Sequence, residues 1–178
     1  AKIQGGRVIG IAGTPEKCGW LTGELGFDAV LNYRTEDVGR RLDALCPDGV
    51  NVFFDNVGGT ILDTVLARLA IGARVALCGA ISNYNAADDP TPIRNYMNLV
   101  VARARIQGFL VLDYHDRFPE AALQLVAWAG EGRLRWRDHI VEGLEAAPRA
   151  LNMLFSGENT GKLMVRVDPS HEPGPGNL

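Results

Sequence analysis

The sequence predicts an α/β fold, a parallel sheet covered by helices on both faces. Short apolar runs rich in Val, Ile and Phe recur along the chain, and longer amphipathic stretches separate them. Turn-forming residues, often glycine, close the runs.

The first run, Arg7 to Ala12, is followed by Gly13, Thr14 and Pro15: a turn, an N-cap candidate and a proline suited to the first helical position. The helix that starts there carries Trp20, Leu21 and Leu25 on one face and ends near Gly26. Ala29 to Asn32 is a second short strand, and Thr35, Glu36 and Asp37 resemble a capped helix start leading to about Leu45. Val50 to Phe54 is a third strand, closed by Asp55, Asn56, Val57, Gly58 and Gly59, where two glycines permit a tight turn and close approach of a ligand. A helix from about Thr60 to Leu69 leads through Gly72 to a fourth strand, Arg74 to Cys78. A polar loop with Asp88, Asp89, Pro90 and Pro92 follows, long enough to be functional. The remaining expectations are a helix near Ile93 to Ala104, a strand from Ile106 to Leu112 interrupted by Gly108, helices over Pro119 to Gly130 and Leu144 to Phe155, and a last strand, Lys162 to Val167. The tail from Pro169 is expected to be disordered, being polar and rich in proline and glycine.

With 178 residues, 47% hydrophobic and 22% charged, the chain is large enough to bury a substantial core, and one domain is the expectation. Eighteen basic against 21 acidic residues leave a net charge of -3, with no Lys/Arg block to follow a nucleic-acid backbone or an anionic membrane. Cys18, Cys46 and Cys78 are odd in number and widely spaced, so they suggest neither a disulfide framework nor a zinc site, and a reducing, cytoplasmic compartment fits. No apolar run reaches the roughly 18 residues of a membrane span, and AKIQGGRVIG reads neither as a signal peptide nor as the start of a fold.

Chemistry is expected at the strand ends, where α/β folds bind ligands. After the first strand an NAD-specific site usually places a carboxylate for the ribose 2′-hydroxyl, but this chain has Ala12, Gly13 and Thr14. A 2′-phosphate would accept hydrogen bonds from the Thr14 hydroxyl, from the N–H groups opening the next helix and from Lys17, which favours NADPH over NADH. The alternative is a plain capping threonine and a solvated helix lysine. Tyr33 could lie against an adenosine ribose or a phosphate, or simply fill an interface. Asn56 offers a carboxamide beside accessible backbone, or an Asx turn. In Cys78, Gly79, Ala80, Ile81, Ser82, Asn83, Tyr84 and Asn85, small residues come first, so that a flat ring could lie against backbone, and hydrogen-bonding groups follow. Tyr84 is a candidate acid that could donate to a developing enolate, or a structural tyrosine. No Tyr precedes a Lys by four positions, no GxSxG elbow follows a strand, and His115, His139 and His171 have no metal-ligand spacing and read as surface residues. Metal ligands are therefore expected to be none. Trp128 and Trp136 flank EGRLR and are expected to pack a helix end.

FDNVGG (54–59), CGAISNYN (78–85), IQGF (106–109) and ENTGK (158–162) occur in that order, and together with the segment from 132 to 167 they resemble one family. This is the medium-chain dehydrogenase/reductase superfamily, in its zinc-independent branch of prostaglandin reductases, plant alkenal double-bond reductases and bacterial curcumin reductases. The resemblance runs from Ala1 to about Val167 and implies a Rossmann-like, doubly wound domain. It implies NADP(H) held by Lys17 and Tyr33 near the 2′-phosphate, by Asn56, by the loop from Cys78 to Tyr84, by Phe109, Leu110 and Val111 near the nicotinamide, and by Asn159. The implied reaction is reduction of the C=C bond of an enone or enal, with Tyr84 stabilising the enolate and no metal needed. A homodimer joined through this domain is also implied.

Members of that family begin with a substrate domain and a first βα unit with its glycine-rich loop, which have no counterpart in these residues. Residues 1–168 are thus expected to be an incomplete nucleotide-binding domain, part of a protein roughly twice as long, with the sheet interrupted by a gap of about 9.5 Å, two strand spacings. A non-catalytic nucleotide-binding module and a quinone reductase or zinc alcohol dehydrogenase of the same superfamily are the alternative readings.

Overall fold

The computed structural model describes residues 1–84 and 91–168. The expectations placed on Asn85, Asp88, Asp89, Pro90 and the tail from Pro169 lie outside the described residues. In chain order the elements are β1 (Ile9–Ala12), α1 (Pro15–Gly23), β2 (Ala29–Asn32), α2 (Val38–Leu45), β3 (Val50–Asp55), α3 (Gly59–Leu66), β4 (Leu69–Leu77), α4 (Asn98–Val101), β5 (Arg105–Gly108), α5 (Phe118–Gly130), β6 (Asp138–Glu142), α6 (Ala147–Ser156) and β7 (Lys162–Arg166). Short 3-10 turns occupy Lys2–Gln4, Ile81–Asn83, Val111–Arg117 and Leu144–Ala146. The chain divides into two compact units, Ala1–Gly130 and Glu131–Leu178.

Every strand pairing is parallel. In the first unit β1 pairs with β2, and β3, β4 and β5 form a separate sheet in that order. Among the described residues β1 and β3 do not pair, so the sheet is interrupted where the sequence leads one to expect it. Val52 and Phe54 on β3 are correspondingly 70% and 57% exposed.

Alternation along β1 sets the layers. A Cβ on Gly10 would meet the Leu21 and Phe27 side chains of the α1 segment at 2.7 and 3.1 Å, whereas Ile11 packs with Leu31, Leu42 and Val65 on the side of α2 and α3. Helices thus cover both faces. The cluster of Leu31, Leu42 and Val65 continues through Phe53 and Leu69 into Leu62, Leu66 and Val75, so one apolar layer underlies both sheets. Full burial of each such side chain contributes roughly 1.5–3 kcal/mol. Arg68 reinforces the layer: its Nε donates to the Gly39 carbonyl at 2.9 Å and to Asp43 Oδ1 at 2.7 Å, and its Nη2 donates to Asp43 Oδ2 at 3.1 Å.

The helix starts follow their caps. Thr14 Oγ1 accepts from the Lys17 N–H, and Pro15 takes the first helical position. For α2 the cap is Asp37, whose Oδ1 accepts from the Arg40 N–H at 2.9 Å, while Thr35 and Glu36 belong to the preceding turn and donate their N–H groups to the Asn32 carbonyl.

Four boundaries differ from expectation for identifiable reasons. α3 stops at Leu66 because the Arg68 carbonyl accepts from the Val50 N–H at 2.8 Å, and β4 begins at once with Leu69. The helix expected over 93–104 is confined to Asn98–Val101: the Arg94 and Asn95 N–H groups donate to Asp63, and Arg103 has a φ of 51°. The fifth strand ends at Gly108, not Leu112, and the chain winds into a 3-10 turn from Val111. β6 was not foreseen at all.

In the second unit β6 and β7 pair in parallel, with α6 as the connecting helix. α6 buries Ala150 and Met153 and ends at Gly157, whose φ of 72° lets its N–H return to the Met153 carbonyl.

Candidate functional site

Because the strands of each sheet are parallel, their carboxyl ends share an edge, and the residues singled out in the first unit lie just beyond those ends. At the β1–β2 end, the Tyr33 N–H donates to the Ala12 carbonyl at 3.0 Å. This brings the Tyr33 ring onto Gly13, where a Cβ would lie 2.8 Å from the phenol oxygen and 2.9 Å from ring carbons. Gly13 is therefore glycine to admit the tyrosine. Thr14 follows immediately, and since its oxygen accepts from Lys17, its hydrogen can still be donated outward. Lys17 stands one turn into α1.

Arg34 was missed by the sequence reading. Its guanidinium lies 5.9 Å from the Tyr33 ring centre, in cation–π range. Its N–H donates to Asn32 Oδ1 at 3.0 Å, and Glu36 Oε2 accepts from the Asn32 N–H at 2.6 Å while Oε1 pairs with Arg41 Nε. A basic residue beside the aromatic one was the available signal. Nearby, burial first and the Glu36 charge second push the Cys18 thiol up, so it stays protonated and unreactive at neutral pH.

At the β3–β4 end, backbone dominates. Asp55 is 1% exposed; its Oδ1 accepts from the N–H groups of Val57 and Gly58 at 2.8 and 3.0 Å, and its carbonyl accepts from Cys78 and Gly79. The Asx turn considered for Asn56 thus belongs to Asp55, leaving Asn56 exposed beyond the strand. The expectation that Gly58 and Gly59 admit a ligand needs correction. Their φ values are 71° and 58°, and Cβ atoms there would lie 3.2 Å from Ala80 Cβ and 2.8 Å from Ser82 Oγ, so what approaches them is the chain's own loop.

That loop carries the remaining candidates. The Ile81 N–H donates to the Asn56 carbonyl, and both the Ser82 N–H and Oγ donate to the Val57 carbonyl. Tyr84, 61% exposed, folds back so that its phenol oxygen would be 3.3 Å from a Cβ on Gly79. Asn83 closes the turn through the bond from its N–H to the Ala80 carbonyl. Beside the loop, Leu77, Cys78, Gly79, Ala80, Gly108, Phe109, Leu110 and Asp113 line an open hollow of about 490 Å³, within the range of small-molecule sites. The Phe109 N–H donates to the Leu77 carbonyl, and the Phe109 ring stands between Phe54 and Tyr114 at 5.9 and 6.3 Å. Leu110 and Val111 are exposed.

The structure therefore brings Gly13, Thr14, Tyr33 and Arg34 together at one place, and Cys78, Gly79, Ala80, Tyr84, Phe109 and Leu110 at another. Asn159 lies in the second unit, where its Nδ2 donates to the Gly161 carbonyl at 3.0 Å. The neighbouring Thr160 N–H donates to His139 Nδ1 at 3.2 Å, so His139 is a half-buried acceptor on β6 and not the free surface residue expected. Among the described residues no group of three or more His, Cys, Asp or Glu could hold a metal ion, and no helix is long and apolar enough to cross a membrane.

A doubly wound parallel sheet with small residues and polar side chains at its strand ends defines a dinucleotide-binding α/β domain. Residues 1–128 match the zinc-binding dehydrogenase family, and the chain belongs to that family. The Bacillus subtilis (strain 168) protein YfmJ is 50% identical over 175 residues, 96% of this chain and 51% of the relative. The NADP(+)-dependent 2-alkenal reductase of Nicotiana tabacum is 39% identical over 94% of this chain and 49% of its own. Crystalline CurA from Vibrio vulnificus in complex with NADPH superimposes with a TM-score of 0.88 at 41% identity, covering 94% of this chain and 51% of that one. The chain spans about half the length of these relatives. They are the kind of protein that the four ordered motifs resemble.

Proposed function

We propose that the protein is an NADPH-dependent reductase of C=C bonds conjugated to a carbonyl. The observation that carries this reading is the hollow where β4 and β5 end, walled by the small residues Gly79 and Ala80 and overlooked by the Tyr84 phenol. Likeness to a tobacco 2-alkenal reductase and to a CurA crystallised with NADPH supports the same chemistry.

The residues present fit the cofactor. Cys78, Gly79 and Ala80 leave backbone accessible beside the hollow, as a flat nicotinamide requires, with Phe109 and Leu110 also lining it; Ile81, Ser82 and Asn83 continue the loop from Ala80, and Val111 follows Leu110. Thr14, Lys17 and Tyr33, joined by Arg34, would take the 2′-phosphate, where cationic and hydroxyl donors are worth most. Asn56 would add a carboxamide contact. Bound NADPH would supply the hydride that reduces the β-carbon. The chain's own contribution is to hold the Tyr84 O–H where it donates to the carbonyl oxygen of the acceptor as negative charge builds there.

In this reading residues 1–168 act as the nucleotide-binding part, and the small-molecule acceptor is an enone or enal. Three free cysteines among the described residues support a reducing, cytoplasmic setting. Among the described residues β5 is paired on one side only, near exposed Val100, Val101 and Leu112, which supports a homodimer.

The test is oxidation of NADPH by the natural protein with a small enone, an enal and a quinone in parallel. Turnover with the enone and enal, reduced on the order of 10²-fold by Tyr84→Phe, is expected. Turnover with the quinone alone would assign the protein to quinone reduction, and NADPH binding without turnover would make it a binding module.

A further inference from the structure

The loop that leaves β4 and carries Tyr84 is tied to the α3 segment at both of its described ends. At the near end Ile81 and Ser82 bond to the carbonyls of Asn56 and Val57, directly before α3. At the return end the N–H groups of Arg94 and Asn95 donate to Asp63 Oδ1 at 2.7 and 2.8 Å. Asn95 Nδ2 donates to Asp63 Oδ2 at 2.8 Å and to the Asp63 carbonyl at 3.1 Å. Asp63 lies one turn beyond Gly59, against which Ser82 is pressed; a Cβ on Gly59 would also lie 3.8 Å from Thr91 Oγ1.

A half-buried carboxylate that accepts three N–H groups makes charge-assisted bonds, roughly twice as strong as neutral ones. The short helix α4 does not require them. Its opening N–H groups, Asn98 and Leu99, already return to the Asn95 and Tyr96 carbonyls. What Asp63 fixes is the point at which the chain comes back from the Tyr84 loop. That point stands on α3, and the near-end anchor stands on Asn56 and Val57, the turn that leads into it, so both described ends of the loop are fixed to one segment of the chain.

We propose that Asp63, together with Asn95, is a positioning residue for Tyr84, holding the loop in the span that keeps the phenol over Gly79. The inference rests on the role given to Tyr84 above. Asp63→Asn is the informative variant. Its size is unchanged and its oxygen can still accept the two backbone N–H groups, but its NH₂ then faces the NH₂ of Asn95, donor against donor.

The experiment uses the natural protein and its Asp63→Asn, Tyr84→Phe and double variants, with an enone as acceptor. The expected result is a kcat lower on the order of tenfold for Asp63→Asn, as a small misplacement of a catalytic group produces, with NADPH affinity kept within about twofold. The double variant should be no slower than Tyr84→Phe alone, since both act on one group. Amide hydrogen exchange at Ile81 and Ser82 should quicken in Asp63→Asn with NADPH bound. Should that variant fail to fold, Asn95→Ala, which leaves the backbone bonds in place, is expected to give the same pattern more weakly. Unchanged exchange at Ile81 and Ser82, or rate losses that multiply in the double variant, would overturn the proposal. If the wild-type protein reduces no enone, the functional reading falls on its own, and the exchange result alone decides whether Asp63 sets the loop.

Discussion

The two ends of the candidate site are built from different materials. At the β3–β4 end the shape is made by backbone: a buried Asp55, two glycines at positive φ and a loop held by main-chain carbonyls. At the β1–β2 end the shape is made by side chains, Tyr33 over Gly13 with Arg34 beside it, and these are exposed. The backbone end should tolerate almost no substitution because each atom has several dependants. The side-chain end should tolerate many and change its preference with each.

The sharpest way to break this contrast is Asp55→Ala. It removes the buried acceptor of two N–H groups, so a loss of about 3 kcal/mol is expected, measured by denaturant unfolding. A loss below about 1 kcal/mol would mean that the turn does not depend on the carboxylate. Next is Arg34→Ala, which should leave unfolding unchanged and lower the preference for NADPH over NADH about tenfold, about 1.4 kcal/mol, by fluorescence titration. Equal weakening of both cofactors would place Arg34 elsewhere than at the 2′-phosphate. Gly13→Ala should fall between the two regions in kind, displacing the Tyr33 ring at a cost of about 1 kcal/mol and reducing NADPH affinity as well.

The smallest expected effect lies outside the site. The Lys2 ammonium first, and the Val8 N–H second, hold the Asp28 carboxyl below the usual carboxylate range. A carboxyl lowered on folding stabilises above its unfolded value of about 4 and loses that contribution as pH falls through the lower folded value. Asp28→Asn should therefore lower the melting temperature slightly at neutral pH, and the difference from wild type should shrink with acidification. A difference that grows in acid would reverse the sign of this assignment.

Strands β1 to β3, the cap at Thr14 and the capped start within Thr35, Glu36 and Asp37 were legible because they depend on local pattern: an apolar run, a turn residue, a capping oxygen. Elements settled by distant partners were not. Nothing local to Arg94 and Asn95 says that Asp63, some thirty residues earlier, will take their N–H groups from a helix. β6 is short, follows a charged stretch and alternates between exposed and half-buried positions, so its run of two apolar residues carried little signal. In the site, the residues contributing side chains at strand ends were found, whereas Asp55 was passed over because it sits beside an asparagine with the same turn chemistry. Arg34 was overlooked beside a tyrosine that drew the functional reading.

The contact of α2 with α3 bears on how the site keeps its length. Leu42 packs against Val65, and the Arg68 guanidinium forks onto Asp43, so side chains between the two helices help to set the distance from Tyr33 to Tyr84. Packed helices can slide past one another by small shear steps. Residues that never meet a ligand, at the contact of α2 with α3, would then decide whether a molecule gripped at one end is in register with the chemistry at the other.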